Sequence, residues 1–124
     1  MPTVTHAHGK QGEDLAHSFL SQNGYAILER NYRISGGEID LIAKKDAEVI
    51  FVEVKTRVSS RYGYPEESVG ATKKKRLVRA ARNYLGRFSS EPLYRFDIIA
   101  IQIEQGMQAP QITHIENFLD DIAL

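Results

Sequence analysis

Apolar positions change their period several times along the chain, and each change marks a predicted element. From about Lys10 to Asn23, Leu15, Ala16, Phe19 and Leu20 recur at helical spacing, and Gly24 ends the run. "YAILERNYRI" (25–34) reads as a strand, and Ser35-Gly36-Gly37 as a turn. Glu38–Lys44 and Glu48–Arg57 predict two further strands joined by a short turn around Asp46-Ala47. The second contains Val49-Ile50-Phe51-Val52 without interruption, the composition of a strand covered on both faces. A loop with glycines, a proline and serines follows (58–71), and Thr72 predicts the N-cap of a helix running to about Gly86. Leu77, Val78, Ala81, Tyr84 and Leu85 form that helix's buried stripe. "YRFDIIAIQI" (94–103) predicts a strand and "QITHIEN" (111–117) an edge strand. The order α-β-β-β-α-β-β implies an α/β fold: one domain over 10–124, a mixed central sheet flanked by helices, with a flexible tail at 1–9.

Polar residues break this pattern in one place. Glu53 and Lys55 sit in the strand that looks most buried, and Asp40 lies on its partner. If the hairpin turn is centred between Asp46 and Ala47, Asp40 falls opposite Glu53, Glu38 opposite Lys55, and Lys45 opposite Glu48. These charges then share one face, while Ile39, Leu41 and Ala43 meet Val54, Val52 and Ile50 on the other. Two opposed carboxylates with Cβ atoms roughly 5 Å apart repel by about 3 kcal/mol at an effective dielectric near 20. Protonation, Lys55 or a divalent cation would relieve that repulsion. An oxygen-only ligand set suits Mg²⁺ or Mn²⁺. With Asp40 and Glu53 as metal ligands and Lys55 handling the attacking water, the face would serve phosphodiester hydrolysis. A solvated sheet face carrying cross-strand ion pairs is the other reading of the same residues.

Composition narrows the classes. At 42% hydrophobic and 26% charged residues, the chain is a soluble globular protein. The lack of cysteine excludes disulfides, zinc–thiolate sites and thiol nucleophiles. No apolar run approaches membrane-spanning length, and the cytoplasm is the expected location. Net charge is zero but uneven: Val54 to Arg87 holds ten Lys and Arg against Glu66 and Glu67, +8 for that segment and −8 elsewhere. Such asymmetry points to an anionic partner or to a solvated helix face. Lys73 and Lys74 occupy a first helical turn, where cations oppose the dipole, and phosphate binding explains them. Arg57 shares parity with Lys55; Arg30 and Arg33 have opposite parity, so at most one faces the site. Lys73, Lys74, Arg33 and Arg57 are therefore the candidate nucleic-acid contacts. Tyr62 and Tyr64 either stack on bases or pack locally. Asp97, in an apolar strand, supports the core or the site through hydrogen bonds.

Several motifs occur in order: "GED" at 12–14 with Ala16, "NGY" at 23–25, "RNYR" at 30–33, "GGEIDLIA", "VEVKTR", "YGYP" at 62–65, "KKKRL" at 73–77 and "RFDIIAI" at 95–101. This series resembles the YraN-like family, small bacterial proteins of unestablished function assigned to the restriction-endonuclease-like, or PD-(D/E)XK, superfamily. The resemblance spans about residues 10 to 115. It implies a restriction-endonuclease-like fold, with Asp40, Glu53 and Lys55 on the superfamily's catalytic positions and Ile39 in place of its proline. Glu13 falls where archaeal Holliday junction resolvases carry a further acidic residue from the first helix. Its other role would be a first-turn acid complementing the helix dipole.

The expectation is a Mg²⁺- or Mn²⁺-dependent endonuclease acting on DNA, branched or structured DNA among its substrates. The resemblance to resolvases suggests a homodimer. Two rivals remain: a non-catalytic nucleic-acid-binding accessory protein, and a protein–protein adaptor in DNA repair or processing.

Overall fold

The computed structural model describes residues 6–58, 69–103 and 109–119. Helix α1 (His6–Gln22) leads into strands β1 (Ala26–Ile34), β2 (Gly37–Lys45) and β3 (Glu48–Arg57). Helix α2 (Ala71–Leu85) follows, then β4 (Leu93–Gln102) and β5 (Gln111–Ile115). The predicted order α-β-β-β-α-β-β is the observed one. The five strands form one sheet in the order β1-β2-β3-β4-β5. All neighbours are antiparallel except β3 and β4, which run parallel with α2 crossing between them. Parallel neighbours require such a crossover, and a helix is its usual form.

β3 shows why the sheet is covered on both faces. Val49 and Phe51 pack with Leu77, Ala80, Ala81 and Tyr84 of α2. Ile50 and Val52 point the other way, to Ala16 and Leu20 of α1. Alternation along a fully apolar strand thus feeds two cores, each side chain worth about 1.5–3 kcal/mol of burial.

Two glycines set how closely the helices approach. A Cβ on Gly12 of α1 would lie 1.9 Å from Thr56 Oγ1 of β3. One on Gly37 of β2 would lie 2.9 Å from both the Arg76 carbonyl oxygen and the Ala80 nitrogen of α2. Both helices therefore press backbone against sheet at the end of β3 where Glu53 and Lys55 lie.

Two boundaries differ from expectation. α1 begins at His6, a turn before Lys10, so residues 6–9 of the expected tail are helical and Glu13 lies beyond the first turn. The N-cap of α2 is Gly70, in extended conformation and without a side-chain cap; Thr72 is inside the helix. Tyr62 and Tyr64 lie outside the described residues. Among those described, no helix is long and apolar enough to cross a membrane.

Candidate functional site

The hairpin register is the predicted one near the turn and ends where the charges begin. Lys45 pairs with Glu48, and the ladder continues through Ala43–Ile50 to Leu41–Val52. Beyond Leu41, β2 turns over. Ile39 packs with the α2 core, whereas Leu41 and Ala43 belong to the α1 core. β1 turns with it: Arg30 reaches Asp14 of α1, yet Tyr32 packs in the α2 core. Between these two lies Asn31, with a φ of 51°, opposite Asp40. A left-handed residue in a strand rotates the residues after it, which is how both strands change face at one point.

Asp40 sits at that break, so its side chain is directed along the sheet. Oδ2 accepts the Val54 N–H at 2.8 Å, taking the place of a ladder partner. This corrects three expectations. Ile39 does not share a face with Leu41 and Ala43; Asp40 and Glu53 are not ladder partners; and Glu38 pairs with Arg33 (3.9 Å) and Arg76 (4.0 Å) instead of Lys55. Unbroken alternation along both strands would give the expected register, and the Asn31–Asp40 turnover removes it.

The acidic pair is nevertheless brought together. Burial first, and the Glu53 carboxylate second, push the Asp40 pKa up to about 7. The Val54 N–H and the Lys73 ammonium oppose that rise, while Glu13 adds to it. Glu53 is 1% exposed. Its Oε1 lies 2.8 Å from Lys73 Nζ. That ion pair is the contact this buried oxygen makes among the described residues. A buried carboxylate is costly unless a cation serves it, and here the Lys73 ammonium does.

The two lysines respond in opposite directions. Burial works against the Lys73 charge, but the bond to Glu53, with Asp40 and Glu38 nearby, raises its pKa above the ordinary lysine value. Lys55 is lowered, by burial first and by the Lys73 ammonium second, against the pull of Glu53 and Asp40. Glu13, Asp40, Glu53, Lys55 and Lys73 thus form one electrostatic group drawn from α1, β2, β3 and α2. Gly12 is the reason α1 can contribute, since it seats the helix on Thr56.

The remaining candidates are arranged around this group. Arg57 acts on Lys55 from β3, and its carbonyl accepts the Ile103 N–H at 2.7 Å. Arg33 is exposed and held near Glu38. Lys74 faces away from Glu53 and lines a cleft along α2.

A second polar cluster lies on the α1 side of the sheet, toward the other end of β3. Arg95 donates to Asp97 (3.0 Å), Glu48 (2.8 Å), Tyr25 Oη (2.8 Å) and Glu116 (3.0 Å). Asp97, fully buried, also receives the Asn117 N–H at 2.9 Å and contacts His114 Nε2 at 2.8 Å. Burial alone would raise the Asp97 pKa; the His114, Arg95 and Asn117 hydrogen bonds reverse this and lower it. Asp97, His114 and Glu116 offer ligand atoms within 4.8 Å of one another, a group that could hold a metal ion. Arg95 already bonds both carboxylates, so a cation would have to displace the guanidinium. Asp97 therefore supports the core and not the acidic pair. Arg95, two residues away and of the same parity, was the sequence signal for this network.

Fold and site together define a small α/β domain with a buried glutamate, a half-buried aspartate and two lysines at the end of a hairpin. The chain belongs to the uncharacterised protein family UPF0102, whose model matches residues 12–101. It is 51% identical over 101 residues to a UPF0102 protein of Chloroherpeton thalassium, covering 81% of this chain and 78% of that one. A UPF0102 protein of Symbiobacterium thermophilum is 50% identical, with 76% and 80% covered. One of Clostridium perfringens is 44% identical, with 91% and 90% covered. This is the family expected from the motifs.

Proposed function

We propose that this protein is a divalent-metal-dependent nuclease of the restriction-endonuclease-like class, hydrolysing phosphodiester bonds in DNA. The observation that carries the reading is the buried Glu53 carboxylate, paired with the Lys73 ammonium, beside a second carboxyl group, Asp40, whose proton affinity is raised by burial and by Glu53 itself. The Lys73 ammonium, 2.8 Å from Glu53 Oε1, is the cation the chain itself supplies there, and a divalent ion would take its place between the two carboxyl groups. The donors are carboxylate oxygens, with no sulfur or imidazole among them, which fits Mg²⁺ or Mn²⁺. Asp40 and Glu53 would hold the ion, with Glu13 at the rim.

When bound, such an ion stabilises charge on a phosphoryl oxygen and acidifies coordinated water. The chain's own residues supply the rest. Lys55, with its pKa lowered, gives up its proton more readily than an ordinary lysine and would accept one from the attacking water. Lys73, released from Glu53, is a cation for the phosphate undergoing attack. The Val54 N–H fixes the Asp40 carboxyl in the sheet plane and pre-orients it.

Incubation with branched, nicked and linear DNA in Mn²⁺ or Mg²⁺ tests the reading. Cleavage should fall at least about 100-fold in Asp40→Asn and in Lys55→Met. Cleavage indifferent to both substitutions would refute the assignment. Salt-sensitive DNA binding without turnover under any divalent ion would leave the accessory-protein reading in its place.

A further inference from the structure

A cleft of about 1040 Å³ lies away from the acidic pair. It runs along the outer side of α2, against the Ser35-Gly36 turn between β1 and β2. Lys74, Lys75, Arg76, Arg79 and Arg82 line it, and no acidic residue does. Only Arg76 has an ionic partner there, Glu38 at 4.0 Å; among the described residues the other four show no ion pair. The Arg79 guanidinium lies across Gly36, where an added Cβ would meet it at 3.2 Å.

From these features we infer that the cleft is the track for the sugar–phosphate backbone of the DNA flanking the bond to be cut; the inference rests on the nuclease reading. Charge pattern and continuity argue for it. Lys75, Arg79 and Arg82 recur at i, i+4 and i+7, about 6 and 4.5 Å apart along the helix. A DNA strand carries one phosphate per about 3.4 Å of axis, so residues 72–82, about 15 Å long, match four or five nucleotides. Guanidinium forks bind phosphate oxygens bidentately, which suits Arg79 and Arg82 at the far end. At the near end the same helix places Lys73 on Glu53, so a strand leaving the acidic pair passes directly onto α2. An acidic polypeptide would satisfy the charge but not the continuity with the acidic pair.

Fluorescence anisotropy with a labelled DNA duplex, in EDTA to prevent turnover, tests the track. Wild type, Arg79→Gln/Arg82→Gln and Asp40→Asn are compared across a salt series, with thermal melts verifying the fold. Losing two phosphate contacts should flatten the slope of log affinity against log salt by about 1.8. Between about 50 and about 200 mM salt, that is about a twelvefold smaller loss of affinity. Asp40→Asn should keep the wild-type slope. An unchanged slope in the double variant overturns the track, and does so even if Asp40-dependent cleavage is observed. Displacement of the DNA by poly-L-glutamate at equal charge overturns it as well. A flattened slope without cleavage by any variant keeps the track and removes hydrolysis.

Discussion

At the scale of single residues, Asp40 is the group whose chemistry departs furthest from the ordinary. Its native pKa near 7, against 3.8 for a free carboxyl, means that the folded metal-free protein holds a proton that the unfolded chain has lost. Between those two values the native state binds more protons, so stability falls as pH rises through that window. Chemical denaturation of the metal-free protein should show this decline from about pH 4 to about pH 7, and Asp40→Asn should abolish it. A wild type with the same pH dependence as the variant would mean that Asp40 is not desolvated beside Glu53. The sequence singled out Asp40, Glu53 and Lys55, and the structure places them in one electrostatic group. The sequence did not show how Asp40 is aimed, because the turnover depends on the backbone at Asn31, a conformation that no local motif announces.

Among elements, the decisive contact is helix α1 on strand β3. Gly12 meets Thr56 so closely that any added side chain must displace the Thr56 side chain or the helix that carries Glu13. Gly12→Ala should cost about 1–3 kcal/mol in denaturant melts, as overpacking does. Thr56→Ala removes the nearest atom, so the double variant should recover part of that loss. Equal losses in the single Gly12 variant and the double variant would place the strain elsewhere. All seven elements could be read from periodicity, with most ends within a residue or two. The exceptions have physical causes. α1 starts at His6 although its apolar stripe begins later, and α2 is capped by Gly70, so the hydroxyl of Thr72 is not the helix boundary. Lys73 is out of place in a first turn on sequence alone, but its partner, Glu53, is visible only once the crossover has folded back over β3.

The whole molecule keeps its two charged clusters apart on the sheet. Glu48, in the Arg95 network, and Glu53 are five residues apart along β3, about 16 Å. One cluster is saturated with partners and ties β5, β4, β3 and Tyr25 together; the other sets two carboxyl groups against Lys73 and Lys55. The first should therefore behave as structure. The Asp97 pKa is lowered in the fold, so its contribution is complete above the unfolded value of 3.8 and is lost as pH falls through the native value. Asp97→Asn should destabilise by about 3 kcal/mol at neutral pH. That deficit should shrink on acidification below about 4, with divalent-ion affinity unaffected throughout. A deficit independent of pH would deny the carboxylate this role.

The acidic pair itself is tested most directly by Mn²⁺ binding, followed by electron paramagnetic resonance on wild type, Asp40→Asn, Glu53→Gln and Lys73→Met. A pair built for a divalent ion predicts one bound Mn²⁺, weakened at least about tenfold by either carboxylate substitution. It also predicts tighter binding once the competing Lys73 ammonium is gone. Equal Mn²⁺ binding in all four proteins, or none in any, would contradict it.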